Sequence, residues 1–222
     1  MTRAETTLYL VRHGESEANA AGRFAGRTDS PLTRLGRRQA EAVAEALSGV
    51  RFDRVVSSDL SRARDTAAAI ARRQGVVLET LPELREIDMG EAAGKLFEDA
   101  RRHPDWSPDG FLRWPGGESL EEALARATAA LDRIVASGSG RTICIVGHGG
   151  LTRILISHFL GLLPKLYRHP AGSPNTNITV VRSDGATYRV DSVYEARHVD
   201  LVPSPEERMP EPGVTEAGDG AI

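Results

Sequence analysis

What most constrains the fold of this chain is a local pattern that occurs three times: a short apolar run, a turn carrying Gly or Ser, then a stretch of helical periodicity. The runs are Leu8-Tyr-Leu-Val11, Phe52 to Val56 and Ile143-Cys-Ile-Val146. Each reads as a buried parallel strand, because β-branched and aliphatic residues are concentrated in it, although the second also holds Asp53 and Arg54. Strand–loop–helix alternation of this kind dictates an α/β fold, specifically a three-layer α/β/α sandwich with a mostly parallel central sheet. Two helices are clear from their apolar faces. Arg34 to Ser48 places Ala40, Val43, Ala44 and Leu47 on one side and stops at Gly49. Ser119-Leu-Glu-Glu122 is a capping box that opens a stripe of Leu120, Ala123, Leu124, Ala127, Leu131 and Ile134. Late in the chain, Ile178 to Arg182 and Thr187 to Val193 flank Ser183-Asp-Gly-Ala and read as a hairpin or a pair of terminal strands.

With 222 residues the chain can bury one good core, and residues 1–198 read as one domain. From Val202 on, Pro, Glu and Gly recur without periodicity, so 199–222 reads as a C-terminal tail, disordered or ordered only against a partner. Residues 91–117 hold Trp106, Phe111 and Trp114 among prolines and charges. Such a segment is expected as a lid over a site, or as a long surface loop packed by its own aromatics.

Charge narrows the function. The 28 Lys+Arg are scattered among 31 Asp+Glu for a net charge of -3, with no basic block, so a nucleic-acid partner is not expected. The apolar run near the N-terminus has four residues and no later run approaches a membrane span, so neither a signal segment nor a membrane partner is expected and the location reads as cytoplasmic. Cys144 is the single cysteine, too few for an internal disulfide or a thiolate zinc site, and between Ile143 and Ile145 it reads as core.

Parallel sheets bind ligands at the carboxyl ends of their strands, where loops face a crevice and helix N-termini point into it. At those positions stand Arg12-His13-Gly14-Glu15-Ser16, then Ser57-Ser58-Asp59-Leu60-Ser61-Arg62, then Gly147-His148-Gly149-Gly150. Two arginines and two histidines from distant segments thus meet at one sheet edge. Forked arginine donors match phosphoryl oxygens, and a neutral imidazole can attack phosphorus. Departure of the leaving group calls for a proton donor; Glu86 is the best placed in sequence, with Asp88 and Glu15 as weaker candidates. No His or carboxylate cluster has metal-ligand spacing, so no metal and no cofactor are expected. Ser57 and Ser58 read as turn and cap residues, and His103, His158, His169 and His198 as core or surface histidines.

Six motifs in order carry a family resemblance: Arg12-His13-Gly14-Glu15-Ser16 with Asn19; Pro31-Leu-Thr-x-x-Gly36-x-x-Gln39-Ala40; Ser57-Ser58-Asp-Leu60-x-Arg62-Ala63-x-x-Thr66-Ala67; Leu84-x-Glu86; Pro115-Gly-Gly-Glu-Ser119; Gly147-His148-Gly149. Across roughly residues 6 to 195 the chain resembles the histidine phosphatase (phosphoglycerate mutase-like) superfamily. The resemblance implies that His13 is the phosphorylated nucleophile, Glu86 the general acid that later activates water, and Arg12, Arg62 and His148 the donors to the phosphoryl oxygens. It adds Asn19, Gly14 and the backbone of Gly149 as further contacts, and a homodimer as the common assembly, with the tail as a contact.

Within such a family the choice lies between phosphatase and mutase. Cofactor-dependent mutases carry a Trp before the first-motif Asn, a Gly-Trp in the following loop, and Arg-His-Tyr-Gly after the acid. This chain has Ala18, Gly26-Arg27 and Glu86-Ile-Asp-Met-Gly90 instead. The expectation is therefore a phosphomonoester hydrolase acting on a small phosphorylated metabolite, with a phosphoglycerate mutase or an inactive phosphate-ligand-binding relative as the alternatives. Phe24, Arg27, Lys95, Arg101, Arg102, Trp106, Arg113 and Trp114 are expected on the lid side of the substrate.

Overall fold

The computed structural model describes residues 4–198 except Ser139 and Ala171, and of Arg101 it describes the backbone alone. The tail expected at 199–222 lies outside the described residues. In chain order the elements are β1 (Thr6–Arg12), α1 (Glu17–Ala20), α2 (Arg34–Ala46), β2 (Arg54–Ser57), α3 (Ser61–Gln74), β3 (Leu78–Thr80), α4 (Phe97–Arg101), α5 (Leu120–Ser137), β4 (Thr142–Gly147), α6 (Gly149–Phe159), β5 (Ile178–Ser183) and β6 (Tyr188–Glu195). Six strands form one sheet in the order β3-β2-β4-β1-β5-β6. The pairs of β1, β2, β3 and β4 are parallel, while β5 runs antiparallel to β1 and β6 antiparallel to β5. The late hairpin thus closes the far side of an otherwise parallel sheet.

Side-chain alternation along the central strands separates two cores. Leu8, Leu10, Val56, Ile143 and Ile145 pack against α5 and α6. Val11, Val55, Cys144 and Val146 face the opposite way, against α2 and α3. With helices on both faces the middle positions of these strands are apolar on both sides, which is why they show no alternation of apolar and polar residues. Cys144 is fully buried and burial pushes its thiol pKa up, so it is packing and not a reactive thiol.

The helices begin as their sequences require. Thr33 caps α2 by accepting from the Gly36 amide at 2.9 Å, and the Ser119–Glu122 capping box opens α5 with both reciprocal bonds present. Helix α2 ends at Ala46, two residues before Ser48. The short edge strand β3 is not apparent in the sequence, because Leu78-Glu-Thr80 has one apolar residue and half its surroundings are solvent.

Two glycines bring the loop after β1 against the start of α2. A Cβ on Gly14 would lie 2.4 Å from the Gly36 carbonyl oxygen, and one on Gly36 would lie 2.0 Å from the Glu15 carbonyl oxygen. The Glu15 amide then donates to Gln39 Oε1 at 2.8 Å, which locks the loop on the helix. The backbones touch, so neither position has room for a side chain. Gly36→Ala is expected to destabilise the fold by about 1–3 kcal/mol, as overpacking does; urea unfolding of the variant beside the native protein measures this.

Candidate active site

Strands β1 and β4 pair in parallel with Arg12 opposite Gly147, and the His13 amide donates to the Gly147 carbonyl at 3.0 Å. His13 and His148 therefore leave the sheet side by side, with ring centroids 5.2 Å apart. Both are buried, at 4% and 0% exposure. Strand β2 ends one position short of that level, with Ser57 opposite Val146, and α3, which follows it, carries Arg62 into the same space. These residues border a cavity of about 880 Å³ whose wall includes Arg12, His13, Asn19, Arg62, Glu86 and Gly149.

Each group has a defined chemical state. His13 Nδ1 stands 2.6 Å from the Gly14 carbonyl oxygen. A carbonyl only accepts, so Nδ1 carries the proton and Nε2 keeps its lone pair. Burial, then the cations of Arg62 and Arg12, hold the His13 pKa well below its ordinary value, so the imidazole is neutral at pH 7. His148 is lowered for the same reasons, burial first and then Arg62, with His13 and Arg12 adding to it. Its Nε2 lies 2.9 Å from Ser58 Oγ, whereas its buried Nδ1 has no partner among the described residues. A hydroxyl that donates to Nε2 leaves the proton on Nδ1, where it can meet an incoming oxygen. Ser58 thus does more than cap a turn.

The arginines are held by backbone carbonyls. Arg62 is 1% exposed and donates to the carbonyls of Thr28 at 3.1 Å and Gly26 at 2.7 Å. Arg12 donates to the Ser173 carbonyl. A Cβ on Gly149 would come 3.2 Å from Arg12 Nε, so this glycine makes room for the guanidinium.

Glu86 sits on the N-terminus of α6. Its Oε1 accepts from the amides of Ile87 and Leu151, each at 2.9 Å, and its Oε2 from Gly150 at 2.9 Å. The first amide of α3 is likewise taken, since Ser61 donates to Asp29 Oδ1 at 2.8 Å. The helix N-termini expected to face a phosphoryl group therefore hold carboxylates instead, because a side-chain oxygen in reach satisfies the orphan amides. Oε2 has one amide and retains a lone pair for a proton.

A second layer fixes the loop that bears Glu86. Arg126 donates to the carbonyls of Glu83, Arg85 and Glu86 at 2.7, 2.8 and 3.1 Å and clasps Glu118 at 2.6 and 2.8 Å. Burial works against the charge on Glu118, yet Arg126 and Arg27 keep its carboxyl below the ordinary value.

The other candidates divide. Glu15 accepts from the Thr33 hydroxyl at 2.7 Å and Asp88 from the Gly90 amide at 2.9 Å; neither borders the cavity, and Glu86 does. Asn19 lines it and also bonds the Ser16 amide through Oδ1. Gly14 acts by letting α2 approach. Phe24, Trp106 and Trp114 line the cavity as expected, with Phe24 edge-on to Phe97 at 4.7 Å. Arg27 does not: it pairs with Glu118 at 2.8 Å and reaches Asp88 at 3.6 Å, outside the cavity wall. Lys95 covers the Trp114 ring at 5.7 Å, Arg102 pairs with Asp99 and Arg113 bonds the Gly117 carbonyl, so they too stand away from the wall. The side chain of Arg101 lies outside the described residues. His169, read as core or surface, is in the wall, together with Arg153, Tyr167, Arg168 and Tyr194. Among the described residues no three His, Cys, Asp or Glu side chains gather to hold a metal, and no helix is long and apolar enough to cross a membrane.

A family model described as the histidine phosphatase superfamily (branch 1) matches residues 8–196. The chain belongs to that superfamily. It is 42% identical over 163 residues to a probable phosphoglycerate mutase GpmB of Proteus mirabilis (strain HI4320), covering 70% of this chain and 75% of the relative. A mycobacterial glucosyl-3-phosphoglycerate phosphatase solved with VO3 superposes with a TM-score of 0.76 at 32% identity, over 86% of this chain and 99% of the other. A phosphoserine phosphatase of Entamoeba histolytica in complex with 3-phosphoglyceric acid gives 0.75 at 28% identity, over 87% and 98%. Phosphatases and a mutase thus share this fold, and the family is an enzyme family.

The buried neutral histidines make stability depend on pH. Unfolded, each titrates near about 6.5; folded, each stays neutral to a lower pH. Below about 6.5 the unfolded chain binds more protons, so stability falls as pH falls, until the lowered folded pKa values are reached. The expected loss is roughly 1 kcal/mol per pH unit for each histidine. Urea unfolding between pH 7 and 5 should show this slope, and the double variant His13→Asn, His148→Asn should flatten it.

Proposed function

We propose that this chain hydrolyses phosphate monoesters of small metabolites through a phosphohistidine at His13. The observation that carries the reading is the tautomer: the Gly14 carbonyl fixes the proton on Nδ1, leaving the Nε2 lone pair in a cavity walled by Arg12, Arg62 and Glu86. In the first step Nε2 forms a bond to phosphorus as the ester P–O bond breaks, and Glu86 gives its proton to the departing oxygen. In the second step Glu86 takes a proton from water, the water oxygen bonds to phosphorus, and the P–N bond breaks to release phosphate and neutral His13. Arg12, Arg62 and the Nδ1 of His148 supply positive and donor groups to oxygens that gain charge, in a site arranged before substrate arrives. No step calls for a metal.

The mutase reading is favoured by the names of relatives, the Proteus protein among them, and of one structural neighbour. Against it stand Ala18, Gly26-Arg27 and Ile87-Asp-Met-Gly90 in place of the residues mutases carry there. The site differs only in what accepts the phosphoryl group, water or a second substrate oxygen.

One experiment separates the readings. Phosphate release from p-nitrophenyl phosphate and a panel of phosphorylated metabolites is measured with chelator present. We expect chelator-resistant turnover, an acid-labile phosphoryl adduct on His13, loss of both in His13→Ala, and a fall of about 10²–10⁴ in Glu86→Gln. Interconversion of 2- and 3-phosphoglycerate without phosphate release would establish the mutase, and absence of any adduct would leave a binding protein.

A further inference from the structure

We propose that Arg153 and Tyr194 form a second anion subsite in the same cavity, so that the substrate carries a second anionic group apart from the phosphoryl group that reacts. The inference deepens the proposed function and rests on it for the identity of the first group.

Charge is the first argument. The wall of the cavity holds four arginines, Arg12, Arg62, Arg153 and Arg168, against one carboxylate, Glu86. A phosphoryl group beside the nucleophile meets Arg12 and Arg62, and Arg153 stands on the α6 side of the same wall.

Arg153 is built to face a ligand. It projects from α6, one turn beyond the amides that hold Glu86. Nε donates to the Tyr167 carbonyl at 2.7 Å and Nη2 to the Pro108 carbonyl at 2.6 Å. These bonds fix the guanidinium plane but neutralise none of its charge. Among the described residues no carboxylate is within ion-pair reach of Arg153; Asp109 acts on it only at longer range, and accepts from the Ser107 hydroxyl at 2.7 Å. Nη1 takes part in neither bond. A mostly buried guanidinium with one donor nitrogen outside these bonds and no counter-ion is the group to expect where a carboxylate or phosphate arrives.

Tyr194 supplies the second, independent observation. It is 7% exposed, lines the cavity, and its buried hydroxyl makes no hydrogen bond of regular geometry among the described residues, although the Ser173 side chain is near enough to act on it. Its φ of 54° is one of two left-handed values at non-glycine positions among the described residues, the other being Thr176 at 59°. The residue lies in the β-bulge of the β5–β6 pair, between the Val180–Ser192 and Ile178–Glu195 pairs, and such a bulge re-aims a side chain out of the strand alternation. Both Arg153 and Arg12 act electrostatically on the phenol, and all three line the same cavity. The rings of Tyr167 and His169 pack beside it at 6.0 and 5.8 Å. A phenol in the field of two guanidinium groups, with a proton to donate, completes a site for an anionic oxygen.

Three esters of matched size test the proposal: glycerol 3-phosphate, with a neutral second end; 3-phosphoglycerate, with a carboxylate there; and propane-1,3-diol bisphosphate, with a phosphate. The expected kcat/KM for one of the doubly anionic esters exceeds that for glycerol 3-phosphate by about tenfold to a hundredfold, the effect of a hydrogen bond to a charged group. The preferred ester names the second group. In Tyr194→Phe, which keeps the ring, that selectivity ratio should fall by about tenfold, and in Arg153→Gln by at least as much. Calorimetric binding of the same three esters to His13→Ala gives the same comparison without turnover, so a failed phosphatase reading and a failed subsite remain distinguishable. Equal affinity of His13→Ala for all three esters, or a preference that survives in Tyr194→Phe, would overturn the proposal. Should Arg153→Gln not fold, Tyr194→Phe alone decides.

Discussion

Pairing of β1 with β4 at the centre of the sheet is the contact on which the site depends. Parallel strands cannot be joined by a tight turn, so each must return through a crossover, and all their carboxyl ends fall on one edge. With Arg12 opposite Gly147, the next residue of each strand is a histidine. The rings meet because the register brings them together, and a slip of one residue would send one of them into a helix layer. Apolar residues on both faces of both strands exclude such a slip, since it would exchange the two cores.

Around that pair the protein manages buried charge mainly with backbone groups. Arg62, Arg12 and Arg153 donate to main-chain carbonyls, and Glu86 accepts from main-chain amides. Such partners orient an ion without cancelling it. A carbonyl anchor preserves the field that an incoming phosphoryl group needs. Full ion pairs are placed one layer out, where Arg126, Glu118 and Arg27 bind the loop of Glu86 to α5. There the task is rigidity. The histidines share the same field, and the cations that would hold phosphoryl oxygens also keep His13 unprotonated and nucleophilic.

Much of this was legible in the chain because short-range chemistry announces itself. Apolar runs marked β1, β2 and β4, and the capping box at Ser119 marked the start of α5. His13, His148, Arg12, Arg62 and Glu86 were legible because each follows directly on a strand or a recognisable turn. Strand β3 was not, since it pairs along one edge only and has three residues. Arg27 misled because a cation in a loop near the site looks the same whether it meets substrate or Glu118. The N-termini of α3 and α6 looked free for phosphate, and only the fold brings Asp29 and Glu86 to them.

By itself the sequence determined the layers, the central strands, the helix caps and the identity of the groups at the strand ends, all of which follow from periodicity and from neighbours within a few residues. Tertiary structure alone decided which ring nitrogen of His13 keeps its lone pair, that Ser58 bonds His148, which cations are consumed by carboxylates, and that Arg153, Tyr167, His169 and Tyr194 share a wall. Those facts depend on contacts between segments as far apart as residues 13 and 175. Hydrogen bonds and charges act over a few ångströms of space, whatever the separation along the chain, and no local pattern encodes which distant partner arrives.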